Sequence, residues 1–162
     1  MFRISQYMEE IAHPTPLGPK RNPPGPVVIW NLIRRCNLTC KHCYSISADK
    51  DFPGELSTAE IYGVMDDLKR FRVPVLILSG GEPLLRPDIF DVAQRAKGLG
   101  FYVGLSSNGT LIDESNIRRI AETDFDYVGV SLDGIRATHD KFRRMQGAFE
   151  KSLAGIRLCR DA

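Results

Sequence analysis

No apolar run in this chain approaches the roughly 18 residues needed to cross a bilayer as a helix, so no transmembrane helix is expected. Charge of one sign is also missing. The 22 Lys and Arg against 20 Asp and Glu leave a net charge of +2, too small to argue for nucleic acid or a membrane surface as partner. The opening residues, MFRISQYMEE, lack an apolar signal core, and no secretory signal is expected. Cysteine is sparse, at four residues. Without a secretion signal, four cysteines fit a reducing cytoplasm in which thiols stay free for metal.

What remains is ordinary globular composition, 43% hydrophobic and 26% charged over 162 residues. That is about one domain in length, with enough chain for a real core. Three of the four cysteines fall in the stretch CNLTCKHCY, at Cys36, Cys40 and Cys43. The fourth, Cys159, stands far away at helical spacing among Leu153, Ile156 and Leu158 and reads as a packing residue. Three clustered thiols suit few chemistries. A structural zinc site wants four closed ligands, and His42 is badly placed to be the fourth because it adjoins Cys43. A disulfide framework belongs to secreted chains. An iron–sulfur cube can be held by three thiolates, leaving one iron open to a non-protein ligand. Spacing alone leaves cluster, zinc and unrelated thiols all open.

Periodicity organises the chain. Residues 2–11 pattern as a short helix, followed by HPTPLGPKRNPPGP, whose six prolines from Pro14 to Pro26 make an extended connector. Residues 1–26 therefore read as an appendage and residues 27–162 as a domain. Within the domain a unit repeats. The strands are expected at VVIWNLI (27–33), VPVLILS (73–79), FYVGLSS (101–107) and DYVGVSL (126–132). Between them lie the helical patterns STAEIYGVMDDLKRF, with a Ser57–Glu60 capping box, RPDIFDVAQRAKGLG and DESNIRRIAET; RATHDKFRRM and AFEKSLAGIRLCRD follow. Strand then helix, four times over, signals an α/β fold with a parallel sheet, either doubly wound or part of a β/α barrel. The strands are apolar on both faces and are expected to be covered on both.

The polar motifs fall at equivalent places. Each strand is followed by one: RRCNLTCKHCY, SGGEP (79–83), SSNGT (106–110) and SLDG (131–134). Ends of parallel strands share one face of the sheet, so the four loops should ring one cavity. Singly, NG and DG are turn dipeptides. Jointly, Gly80 and Gly81 can expose backbone to a ligand, and Glu82 suits an ammonium. Ser106, Asn108, Ser131 and Asp133 suit ribose hydroxyls, and Arg143 suits a carboxylate. A branched side chain at Gly81 is accordingly expected to impair ligand binding more than assembly of a metal site.

With these motifs together, the chain resembles the radical S-adenosylmethionine enzymes over about residues 27–162. The resemblance implies a (β/α)6 barrel, here about four units of it. It implies a [4Fe–4S] cluster held by Cys36, Cys40 and Cys43, and S-adenosylmethionine bound through its amino and carboxyl groups to the open iron. One electron from the cluster then generates a 5′-deoxyadenosyl radical. Residue by residue, it assigns the amino-group contact to Gly80, Gly81 and Glu82, and an adenine contact to His42, where an aromatic is usual. Further cofactor contacts go to Ser106, Asn108, Ser131 and Asp133. SLDG…HDKFR…GAFEKSLAGI resembles the SPASM and twitch subgroup, which assigns the cofactor carboxylate to Arg143.

The stretch HPTPLGPKRNPPGPVVIWNLIRRCNLTCKHCYSISADKDFPGELS is similar to the radical enzymes of haem d1 biosynthesis and, more distantly, to related haem-synthesis enzymes. That implies a tetrapyrrole substrate altered at its propionate side chains, an electron donor such as a flavodoxin or ferredoxin, and a cytoplasmic setting. His13, His42 and His139 are too scattered to argue an axial haem ligand. A peptide-modifying relative is the alternative enzyme, and an iron–sulfur or zinc module without catalysis is the alternative of another class. Four units where the family has six lead to the expectation of an N-terminal piece of a longer protein, with little turnover by itself.

Overall fold

The computed structural model describes residues 11–12 and 25–162. The expected helix over 2–11, apart from Ile11, and most of the proline-rich connector, with His13, lie outside the described residues. Four strands, β1 (Val27–Asn31), β2 (Val75–Ser79), β3 (Tyr102–Ser107) and β4 (Tyr127–Val130), form one parallel sheet in the order 1-2-3-4. Register is continuous: Val27 faces Val75, Val75 faces Tyr102, and Gly104 faces Tyr127. Consecutive strands are neighbours throughout. A doubly wound sheet would reverse at a switch point, so this order is that of a barrel wall.

The helices are α1 (Thr58–Arg70), α2 (Ile89–Gly98), α3 (Ile117–Glu122), α4 (Ala137–Arg143) and α5 (Ala148–Asp161), with a 3-10 turn at Pro83–Leu85. α1 begins where the capping box predicts. Ser57 Oγ accepts from Glu60 N, and the Glu60 carboxylate accepts from Ser57 N at 2.8 Å. α2 starts two residues after Pro87, and the preceding Arg86 and Asp88 form an ion pair. α3 is shorter than its pattern. Asp113 Oδ1 accepts from Ser115 N at 2.9 Å and Asn116 Nδ2 donates to Leu111 O at 2.6 Å, so these side chains offer the backbone a turn instead of a helix. The Asp140 carboxylate accepts from Gly147 N and Phe149 N, at 2.7 and 2.9 Å, so α4 caps α5.

One face of the sheet carries the core. Leu76, Leu78, Val103 and Leu105 are fully buried against Ile61 and Met65 of α1 and Val92, Ala93 and Ala96 of α2. The expectation of two covered faces is corrected. The opposite face is open, with Ile29 66% and Val27 49% exposed. There Val27, Ile29, Val75, Ile77, Tyr102 and Tyr127 line an apolar concavity of about 670 Å³. Alternate residues of a strand point to opposite faces, so an all-apolar strand is obliged to present one apolar row here.

Arg86 ties the outer layer to the sheet. Its guanidinium donates to Leu32 O (3.2 Å), Leu56 O (3.1 Å) and Asp88 Oδ2 (3.0 Å), and Asp88 Oδ2 accepts from Thr58 Oγ1. Burial pushes the Asp88 carboxyl up, but the Thr58 hydroxyl and the Arg86 charge outweigh it and leave the pKa below the usual value. Asp88→Asn should cost about 2 kcal/mol, less than a fully buried pair because Asp88 stays 19% exposed. The folded chain keeps this carboxylate ionised at lower pH than the unfolded chain does. Its contribution is therefore complete above about pH 5 and lost as pH falls through the folded-state pKa. Urea unfolding of parent and variant at neutral and acid pH checks both. Equal stability at neutral pH would contradict the role.

Candidate active site

The loops after β1 and β2 are fastened to each other by backbone. Gly81 N donates to Ile33 O at 2.6 Å and Glu82 N to Arg35 O at 2.9 Å. The approach leaves no room for a side chain. A Cβ on Gly81 would lie 2.3 Å from Arg35 O and 2.5 Å from Arg34 O. One on Gly80, whose φ is +153°, would lie 2.4 Å from Ile33 O. The glycines are thus required by the segment leading into Cys36, a packing reason that stands beside the expected ligand approach.

Glu82 departs from expectation as well. It is 0% exposed, and its carboxylate accepts from Ser107 Oγ (2.8 Å), Asn108 N (2.8 Å) and Leu84 N (3.2 Å). Burial pushes its pKa up, while these donors and the Arg143 charge act the other way. It stands beneath the cavity rather than on its wall and joins the second loop to the third.

Cys36, Cys40 and Cys43 line one cavity of about 380 Å³ with His42, Gly80, Gly81, Ser106, Asn108, Ser131, Asp133 and Arg143. Every sequence-predicted site residue except Glu82 is on that wall. Each sulfur has its own donor. Cys36 Sγ accepts from Leu38 N at 3.4 Å and Asn108 Nδ2 at 3.8 Å; Cys40 Sγ accepts from Arg143 Nη1 at 3.7 Å; Cys43 Sγ lies 3.3 Å from Ser45 Oγ. The thiols are unlike. Burial pushes Cys36 up to about 11. Burial also acts on Cys43, but hydrogen bonds from Ser45 and Ser47 overcome it and bring that thiol down to about 7.

Asn108 and Arg143 face the sulfurs as much as the cavity. Asn108 Nδ2 also donates to Asn37 Oδ1 at 2.9 Å, and its Oδ1 accepts from Thr110 N at 2.8 Å, so its amide is already engaged. Arg143 Nε lies 2.6 Å from Asp133 Oδ2, close in distance but misaligned in angle, and among the described residues neither atom has a hydrogen-bond partner. Two buried, charged atoms on the wall thus pair by charge without an aligned hydrogen bond. His42 sits at the rim, 3.6 Å from Asp133 Oδ2 and edge-on to Phe142.

Sequence reasoning missed Ser45, Ser47 and Ser107. Hydroxyls two and four residues beyond Cys43 were the available signal, because short polar side chains beside a thiol are natural donors. Cys159 packs half-buried against the core from α5, as expected, and is not on the cavity wall.

The model of the family described as the Radical SAM superfamily matches residues 30–162. The chain belongs to the radical SAM superfamily. The cofactors of this superfamily are a [4Fe–4S] cluster and S-adenosylmethionine. The pre-heme d1 synthase of Dinoroseobacter shibae is 57% identical over 160 residues, covering 99% of this chain and 40% of the relative. The Fe-coproporphyrin III synthase of Methanosarcina barkeri is 49% identical over 136 residues, covering 84% and 34%. The chain thus spans about two fifths or less of the length of these relatives. The solved structure of native anSMEcpe with bound AdoMet superposes with a TM-score of 0.65 at 24% identity, over 82% of this chain and 40% of that one, which shows the shared fold.

The radical SAM cofactors fit what is on the wall. The three thiolates of a cube each take a different iron, so three separate sulfurs around one cavity match that cluster.

In metal-free protein, alkylation at neutral pH should reach Cys43 long before Cys36. A thiol near 7 is about half ionised at pH 7, while one near 11 is ionised to roughly one part in ten thousand. Peptide mapping after brief iodoacetamide treatment reads the order, and faster labelling of Cys36 would refute it. Gly81→Val should lower iron content and S-adenosylmethionine affinity together, because the new side chain strikes the backbone that carries Cys36. Loss of affinity with full iron content would restore the simpler ligand-approach reading.

Proposed function

We propose that Cys36, Cys40 and Cys43 hold a [4Fe–4S] cluster and that the chain is the cluster-bearing part of a radical S-adenosylmethionine enzyme acting on a tetrapyrrole. The observation that carries this is the convergence of three sulfurs, each with its own donor, on one cavity shared with the Arg143–Asp133 pair. When bound, the cluster and S-adenosylmethionine would supply one-electron reductive cleavage and, through it, hydrogen-atom abstraction from substrate. The chain's own residues bind and orient. Backbone at Gly80 and Gly81 faces the methionyl amine. Arg143 has five N–H donors; Ser131 O and Cys40 Sγ take two and Nε lies against Asp133, so two remain for the carboxylate. Ser106, Ser131 and Asp133 face the ribose, and His42 supplies a flat ring at the rim for adenine. Asn108 and Glu82 support the wall from behind.

The substrate class rests on two supports. Two relatives, at 57% and 49% identity, carry the names pre-heme d1 synthase and Fe-coproporphyrin III synthase. The open apolar concavity shares Ile29, Ser106 and Ser131 with the cysteine cavity, which gives a flat apolar substrate a surface next to the radical source. Among the described residues no helix is long and apolar enough to cross a membrane. A ferredoxin or flavodoxin in a reducing cytoplasm is the proposed source of the electron.

Anaerobic reconstitution followed by electron paramagnetic resonance, with and without S-adenosylmethionine, tests the reading. The reduced parent should show a cluster signal that changes on adding S-adenosylmethionine. Cys36→Ala, Cys40→Ala and Cys43→Ala should each lose S-adenosylmethionine cleavage, while Cys159→Ala keeps its iron. A signal indifferent to S-adenosylmethionine would favour a module without this catalysis. Turnover of the full-length protein with a tetrapyrrole but not with a precursor peptide would support the substrate class; the reverse would sink it.

A further inference from the structure

α4 grips the cysteine loop at two consecutive residues. Phe142 O accepts from Lys41 N at 2.8 Å, and its ring meets His42 edge-on at 5.7 Å. Arg143 then reaches over the same loop. It is 8% exposed, with Nη1 3.7 Å from Cys40 Sγ, Nη2 3.2 Å from Ser131 O and Nε 2.6 Å from Asp133 Oδ2. A buried guanidinium needs every partner it can find. A neutral thiol is a poor acceptor, whereas a thiolate is a good one. The contact with Cys40 is therefore strongest when that sulfur carries charge, as a metal ligand does.

We propose that Arg143 is a positioning residue for the cluster as well as a cofactor contact, a charge-assisted N–H···S donor to Cys40 that holds the cluster's reduction potential up. The inference rests on the cysteine assignment proposed above. Reduction adds one negative charge beside Cys40. A fixed cation a few ångströms from that sulfur stabilises the reduced state more than the oxidised one. Asp133 opposes it. Its carboxylate lies against the guanidinium, orients it and cancels part of its charge. The pair thus carries two contributions of opposite sign at one ligand sulfur. Among the described residues the hydrogen-bond partners of Cys36 and Cys43 are neutral: the Asn108 amide and the Leu38 N–H at Cys36, and Ser45 and Ser47 at Cys43.

The test is an anaerobic redox titration of the reconstituted full chain without S-adenosylmethionine, read by electron paramagnetic resonance. Iron and sulfide are counted on the same samples. Arg143→Gln should make reduction at least tenfold less favourable, about 59 mV for one electron. Arg143→Lys should recover much of that loss. Asp133→Asn should shift the potential the opposite way. A general loosening of the site would move both variants in one direction. If Arg143→Gln binds no cluster, the opposed shifts of Arg143→Lys and Asp133→Asn decide the matter. Unchanged potentials at full iron content, or shifts of the same sign, overturn the inference and leave the cysteine assignment standing. Absence of any cluster signal in the parent overturns both.

Discussion

The site depends on one close backbone approach, Gly81 N to Ile33 O, reinforced by Glu82 N to Arg35 O. It sets the cysteine loop on the end of β2, and only glycine permits it, since any Cβ at 80 or 81 would enter the backbone of residues 33–35. Glu82 extends the clamp by accepting from the backbone and hydroxyl of the next loop, at Asn108 and Ser107. Three loops far apart in sequence are thus held at fixed relative positions by hydrogen bonds, those of Glu82 being buried. There an unmade bond costs more than a made one contributes.

On that base the functional groups divide into two tiers. Backbone at Gly80 and Gly81, with Ser106, Ser131 and His42, faces the cavity. Asn108 and Arg143 each face a sulfur and a polar neighbour together. Residues of this second kind couple the cysteine sulfurs to the polar wall, because whatever moves the guanidinium or the amide is felt at both. The unlike surroundings of Cys36 and Cys43, one thiol raised and the other lowered, have the same origin: a buried position against one surrounded by serine hydroxyls.

The sheet is lopsided for a reason of the same kind. Its outer face is packed by α1 and α2, while its inner face keeps an apolar row open beside the cysteine cavity. A strand wall that buries one side and presents the other is what a substrate chamber needs.

Much of this was legible in the residues. Periodicity located all four strands and the main helices within a few positions, and the Ser57–Glu60 capping box marked the start of α1. The recurrence of polar motifs after each strand correctly grouped the four loops, since strand direction alone puts those ends together. CNLTCKHCY and SGGEP carried the family. The choice between barrel wall and doubly wound sheet was not legible, because strand order is a property of crossovers rather than of local pattern. Nor was the shortening of α3, where Asp113 and Asn116 draw the backbone into a turn. The sequence by itself determined which groups are present and which end of the sheet they occupy. Only the tertiary structure decided that Glu82 is an internal brace, that Gly81 answers to Arg34 and Arg35, and that Arg143 reaches Cys40. Those outcomes depend on distances between segments far apart in the chain, set by packing.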